Sequence, residues 1–308
     1  METKYTYQRY EMNLNQHHPK RFFKYMTAST AEKVLKNRTL RWSHPDEFDD
    51  TLDVARVCDE KMDSNKQKQI HDAIIDLAAN SHANRNKKNT NKLFECLSSL
   101  ISLFGSDKNS AITEIKKGPV DISNSIAELN KSWKEIRNDV RILCLGIEKD
   151  NNHLWNKYAE EHKGVVIELA CREGSDSPWL IAKPVEYVPE KDLFLTVEDW
   201  SEILSLETNE ATKLIFEKCS LRKAKDNEHK WSEQNEWRIP SFCRHHETGT
   251  VSDYGVNPND FSAVYFGHKM DSETQDNLLG LLVAELVHVY AFRCELDSSQ
   301  NITFRKIK

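Results

Sequence analysis

Trp231-Ser232-Glu233-Gln234-Asn235-Glu236-Trp237-Arg238-Ile239 gathers two tryptophans, two glutamates and an arginine into nine residues. From Glu236 the stretch alternates. Glu236 and Arg238 fall on one side and Trp237 and Ile239 on the other, until Pro240 interrupts the pattern. A period of two marks a half-buried strand, and residues two apart on a strand share a face. A carboxylate and a guanidinium then stand side by side next to an indole, as a polar site with an aromatic wall. An ordinary ion pair on a sheet surface gives the same pattern and contributes little, so the rest of the chain must decide.

Working outward, strands recur on both sides of this stretch. Phe22 to Met26 reads as a strand, followed by a helix that Ser29 and Glu32 can open as a capping box. Leu40 to Ser43 reads as a second strand, turned by His44-Pro45-Asp46 into the acidic run Asp46, Glu47, Asp49, Asp50. Val140 to Ile147 and Gly164 to Leu169 are apolar enough for buried strands. Pro184 to Val188, Ala263 to Gly267 and Val287 to Phe292 complete the strand set, with a helix from Ser272 to about Leu286. Asp199 to Leu221 carries Trp200, Ile203, Leu204, Leu214 and Ile215 as one long amphipathic helix. The strands are not spaced as regular β-α-β units. The expectation is an α+β fold, a single domain over residues 1–308, with a mixed, mostly antiparallel sheet.

Residues 58–136 differ in character. They are rich in Asn, Lys and Ser, with helical apolar spacing at Ile70, Ile74, Leu77 and again at Leu93, Leu97, Leu100. Such spacing predicts core-facing helices, broken by a polar loop near 81–90 and by Gly118-Pro119. This region reads as a helical subdomain inserted into the α+β domain.

Composition limits the function classes. The chain has 308 residues, 30% charged and 38% hydrophobic, with a net charge of −6. That balance gives no general pull toward nucleic acid or an anionic membrane. Seven scattered cysteines (58, 96, 144, 171, 219, 243, 294) form no C-x-x-C pair. They read as reduced, mostly buried thiols of a cytoplasmic protein. Residues 1–21 hold no apolar core of a signal peptide. The longest apolar run, Leu278 to Ala284, falls short of the roughly 20 residues a bilayer span needs.

Among motifs, neither G-x-G-x-x-G nor G-x-x-x-x-G-K-[ST] is present, which argues against a Rossmann or P-loop phosphate cradle. H-E-x-x-H and G-x-S-x-G are also missing. His245 and His246 are adjacent, and neighbours on an extended chain point oppositely, so no metal is expected there. Two E-x-K triplets, at Glu114 and Glu228, lie on no expected strand. Asp46, Asp49 and Asp50 could hold a divalent ion for nucleic-acid cleavage, or cap a helix near Thr51. More telling is Leu154 to Gly164, where Trp155, Tyr158 and His162 recur at i, i+3 and i+7 on one helical face, and Gly164 stands at the expected C′ position. The ordinary reading of that face is an aromatic core stripe.

Taken together, these segments resemble a large bacterial family of domains of unknown function often encoded near phage-defence genes. The resemblance is carried in order by Phe23-Lys24-Tyr25, by L-x-x-S-x-P-x-x-F-x-D from Leu40 to Asp50, by W-x-x-Y-A-x-x-H-x-G-V from Trp155 to Val165, and by the late E-W-R-I at Glu236 to Ile239. It spans roughly residues 21–282. Asp49 stands where that family tends to have Asn, and Gln234 where an acidic residue is common. The order of elements is also similar to the split sheet of ADP-ribosyltransferases. That likeness implies NAD as substrate, an effector role in defence or toxicity, and a nucleic-acid or protein acceptor. It implies Glu236 as the catalytic carboxylate, Arg238 as its orienting partner, and Lys24 and Tyr25 on the ribose or phosphate side. Trp155, Tyr158, His162, Ser43, Trp231 and Trp237 become the substrate-binding set, with no metal. The competing expectation is a non-catalytic module that senses a nucleotide or a phage protein with the same pocket.

Overall fold

The computed structural model describes residues 19–50, 53–54, 62–81, 90–172, 177–225 and 231–308, apart from the side chains of Lys191 and Trp231. Cys58, Thr51 and the triplet at Glu228 lie outside the described residues. In chain order the elements are β1 (Arg21–Met26), α1 (Ala28–Asn37), β2 (Thr39–Ser43), α2 (Ser64–Ser81), α3 (Lys92–Leu103), α4 (Lys108–Lys116) and α5 (Ser123–Asp139). There follow β3 (Val140–Leu145), α6 (Asn152–Tyr158), β4 (Val165–Ala170), β5 (Lys183–Pro184), β6 (Glu186–Val188), α7 (Val197–Ser205) and α8 (Thr208–Leu221). The chain closes with β7 (Arg222–Ala224), β8 (Trp237–Phe242), β9 (Val251–Gly255), β10 (Phe261–Phe266), α9 (Ser272–Glu285), β11 (Tyr290–Leu296) and β12 (Ile302–Lys306).

Two five-stranded sheets organise these elements, one in the order β1-β4-β10-β11-β12 and the other β5-β8-β3-β2-β9. Only β10 and β11 run parallel within them; every other pair is antiparallel. The fold is therefore mixed α and β with mostly antiparallel sheets. The sheets meet where Phe23 and Gly146 exchange both backbone hydrogen bonds at 2.9 Å. Between them lies the largest core, built from Phe22, Leu35, Leu143, Ile167, Ile239, Val264 and Leu282, with α1 and α9 on its flank. No helix among the described residues is long and apolar enough to cross a membrane.

The helices of 58–136 divide. Ile70 of α2 and Ile126 and Trp133 of α5 share a core with β3, α7 and α8, whereas α3 and α4 pack on α2 as a satellite cluster. Leu93 and Leu100, whose spacing predicts a core face, are instead 81% and 48% exposed. It is Phe94, Ser98 and Ile101 that α3 buries. The expected single helix over 199–221 is two. Leu206 and Glu207 are extended, and the Asn91 side-chain amide donates to the carbonyls of Leu204 and Leu206, holding the break open. The first helix is capped by Thr27 rather than Ser29, through a hydrogen bond from Thr30 N.

Pro240 does not end β8, which runs on to Phe242 opposite Val140. Val185 N donates to the carbonyl of Glu236. Even-numbered residues of β8 therefore turn their backbone polar groups toward β5. Only Lys183 and Pro184 pair on that side, so Pro240 lies past the end of β5, where its missing N–H costs no ladder bond.

Candidate active site

The alternation at Glu236 places its side chain and that of Arg238 on one face of the β8 segment, while Ile239 enters the core and Trp237 packs on Phe22 at 5.6 Å. Arg238 is fully buried and saturated. Its Nη1 and Nη2 grip both oxygens of Asp53 at 2.7 and 2.6 Å, its Nε donates to Glu236 Oε1 at 2.7 Å, and Nη1 also reaches the Ser220 carbonyl at 3.1 Å. Lys223, from β7, adds its ammonium to Asp53 at 3.3 Å and to Glu236 at 3.4 Å. The four charges sum to zero and all four side chains are at least nine-tenths buried. Two buried cations facing two buried carboxylates satisfy one another where a lone charge could not stay ionised.

This tetrad floors a cavity of about 230 Å³ bounded by residues of β1, β2, β3, α6 and β8, on the face of β8 opposite Ile239. Six of the nine expected site residues with described side chains line it: Lys24, Tyr25, Ser43, Tyr158, Glu236 and Arg238. They arrive from β1, β2, α6 and β8. Lys24 Nζ donates to the Cys144 carbonyl at 2.8 Å, and no carboxylate pairs with it among the described residues. The Phe48 ring lies 5.4 Å from the Arg238 guanidinium carbon, adding an aromatic wall. The Tyr25 hydroxyl is already engaged, donating to the Glu148 carbonyl at 2.7 Å and accepting from Asn151 N.

Electrostatics set the protonation states. Burial pushes the Glu236 carboxyl up, but the charges and hydrogen bonds of Arg238 and Lys223 outweigh it and hold the group down at about 2, against an ordinary 4.5. Burial first, and then the neighbouring Glu236 charge, push the Cys144 thiol up to about 12, so it stays protonated. The Tyr158 hydroxyl is also pushed up, by burial and then by the Glu236 charge. At neutral pH the floor thus presents an anionic carboxylate flanked by neutral O–H and S–H groups.

Of the other expected residues whose side chains are described, Trp155, His162 and Trp237 lie outside the cavity lining. Trp155 is fully buried on the far side of α6, its Nε1 donating to the Lys149 carbonyl at 2.8 Å. His162 stacks on Trp155 with centroids 5.5 Å apart and an interplanar angle of 7°. The helix ends at Tyr158 and Glu160, Glu161 and His162 are all left-handed (φ 49°, 51°, 72°), so the i, i+3, i+7 face is broken: Tyr158 meets the cavity and the other two do not. Gly164 follows that turn because a Cβ there would strike the Met26 carbonyl. Trp231 opens a short 3-10 turn over Trp231–Gln234.

Sequence reasoning missed Asp53, Lys223, Cys144 and Phe48. Asp53 carries a faint signal, lying three residues past the Asp49-Asp50 pair. Lys223 had none. Of the acidic run, Asp46 pairs with Arg137 at 2.9 Å and Asp49 with Lys157 at 2.9 Å. No group of three or more His, Cys, Asp or Glu side chains converges as a metal site among the described residues. Comparison with family models, curated proteins and solved structures gives no match to this chain.

Proposed function

We propose that the cleft binds a nucleotide and consumes NAD by ADP-ribosyltransferase-type chemistry, as the effector of a bacterial defence or toxin system. The observation that carries the reading is an ionised carboxylate, Glu236, fixed on the floor of an aromatic-walled cavity. Breaking the nicotinamide–ribose bond leaves the electron pair on the departing ring and positive charge on the sugar. A carboxylate fixed in advance beside that sugar stabilises the oxocarbenium-like state. A water or an acceptor group then attacks the same carbon and gives up its proton.

In this reading Tyr158 stacks on the leaving ring and Lys24, without a carboxylate of its own, takes the phosphate side. Arg238 and Lys223 keep Glu236 ionised and oriented. At about 230 Å³ the cavity suits the nicotinamide and its ribose rather than a whole dinucleotide, since sites for drug-sized ligands run to about 300–1,000 Å³.

One feature favours the sensing reading. Both Glu236 oxygens already accept from cations, Oε1 from Arg238 and Oε2 from Arg238 and Lys223. A carboxylate so engaged suits recognition without turnover. Incubation with NAD, following nicotinamide release and transfer of labelled ADP-ribose to lysate components, separates the two. Turnover expected of the natural chain should vanish in Glu236→Gln with the fold retained. Binding of NAD with no release under any condition would replace catalysis by sensing.

A further inference from the structure

Helix α3 carries two apolar faces. Phe94, Ser98 and Ile101 point into the satellite core, while Leu93, Leu100 and Leu103 are 81%, 48% and 82% exposed and Cys96 is exposed between them. At 100° per residue the two faces lie about 150° apart on the helix. A helix apolar on both sides belongs between two layers, and here the described chain supplies one of them. The exposed stripe holds no charge; Lys92 and Glu95 fall beside it. The helix is also held stiffly. Asn91 caps it through Phe94 N and bonds the end of α7 with its amide, and Thr90 bridges to Leu206.

The spacing identifies the second layer. Leu93, Cys96, Leu100 and Leu103 follow intervals of three, four and three, which read the same in both directions. This heptad seam is self-complementary when two copies cross antiparallel about a two-fold axis level with Ser98: Leu93 of each meets Leu103 of the other, and Cys96 meets Leu100. With Phe104, 46% exposed, adding apolar area just past the end of the seam, pairing removes on the order of 1,000 Å² in total, about the least a specific interface needs. We propose that α3 is the homodimer interface of this protein, an antiparallel helix pair formed by a second copy of the chain. An interface of that size gives a concentration-dependent dimer.

Sedimentation equilibrium of the full chain over a range of concentrations should show mass rising from 35.8 kDa toward twice that value. Leu100→Glu with Leu103→Glu should weaken the association tenfold or more, as burying charge in a seam does, with an unchanged circular dichroism spectrum. Orientation is tested by oxidation in a Cys96→Ser background. Leu93→Cys with Leu103→Cys should form a disulfide-linked dimer, and Leu93→Cys alone should not. A monomer at every concentration, or efficient cross-linking of the Leu93→Cys single variant, overturns the proposal.

Discussion

Replacing Glu236 by Gln tests the charge balance beneath the cavity. The change removes one of two buried anions and leaves Arg238 and Lys223 facing Asp53 alone, an uncompensated positive charge at a site less than one-tenth exposed. Breaking a buried pair from one side costs about 3–5 kcal/mol. Lys223→Met leaves the opposite excess and carries a similar cost. In the double variant the bidentate Asp53–Arg238 pair remains, with contacts of 2.6 and 2.7 Å and no net charge. Its loss should therefore fall short of the summed single losses by about 1–3 kcal/mol. The assay is urea denaturation of the four proteins at neutral pH, repeated in acid. Glu236 has a folded pKa of about 2 against an ordinary 4.5, so its contribution is whole above 4.5 and fades as pH falls toward 2. The gap between the natural chain and Glu236→Gln should narrow over that window. Strictly additive losses, or a gap independent of pH, would refute the tetrad.

Two further outcomes follow from the turn behind α6. Burial, with His268 and Lys269 nearby, holds His162 down at about 4, so the neutral ring is the folded form; stability should be whole above its ordinary 6.5 and decline as pH falls toward 4. His162→Phe, which keeps the stack on Trp155, should flatten that part of a thermal-melt pH profile. Gly267→Ala should cost more than 2 kcal/mol by chemical denaturation, because its Cβ would fall on the His162 carbonyl, backbone that cannot swing aside.

The legible parts of this molecule were the local ones. Alternation at Glu236 to Ile239 gave strand β8 and the shared face of Glu236 and Arg238, because a period of two is a property of adjacent residues. The partners Asp53 and Lys223 come from 185 and 15 residues away in sequence, and no pattern ties them to Arg238. Trp155, Tyr158 and His162 fitted one helical face on paper, and the left-handed turn at Glu160 to His162 undid it. That turn rests on close approaches at Gly164 and Gly267, a tertiary constraint with no helical signature. Leu93 and Leu100 misled in the opposite sense. Their helical spacing is apolar, yet α3 turns Phe94, Ser98 and Ile101 to the core instead.

Pro240 has one more consequence. Beyond Lys183 and Pro184, β8 is a sheet margin, and such margins recruit foreign strands through their free N–H and C=O groups. Of the even-numbered positions facing that way, Pro240 withholds the donor that an incoming backbone would need. The residue that breaks the sequence pattern thus leaves this margin one donor short for any further strand, two positions from the guanidinium at the centre of the site.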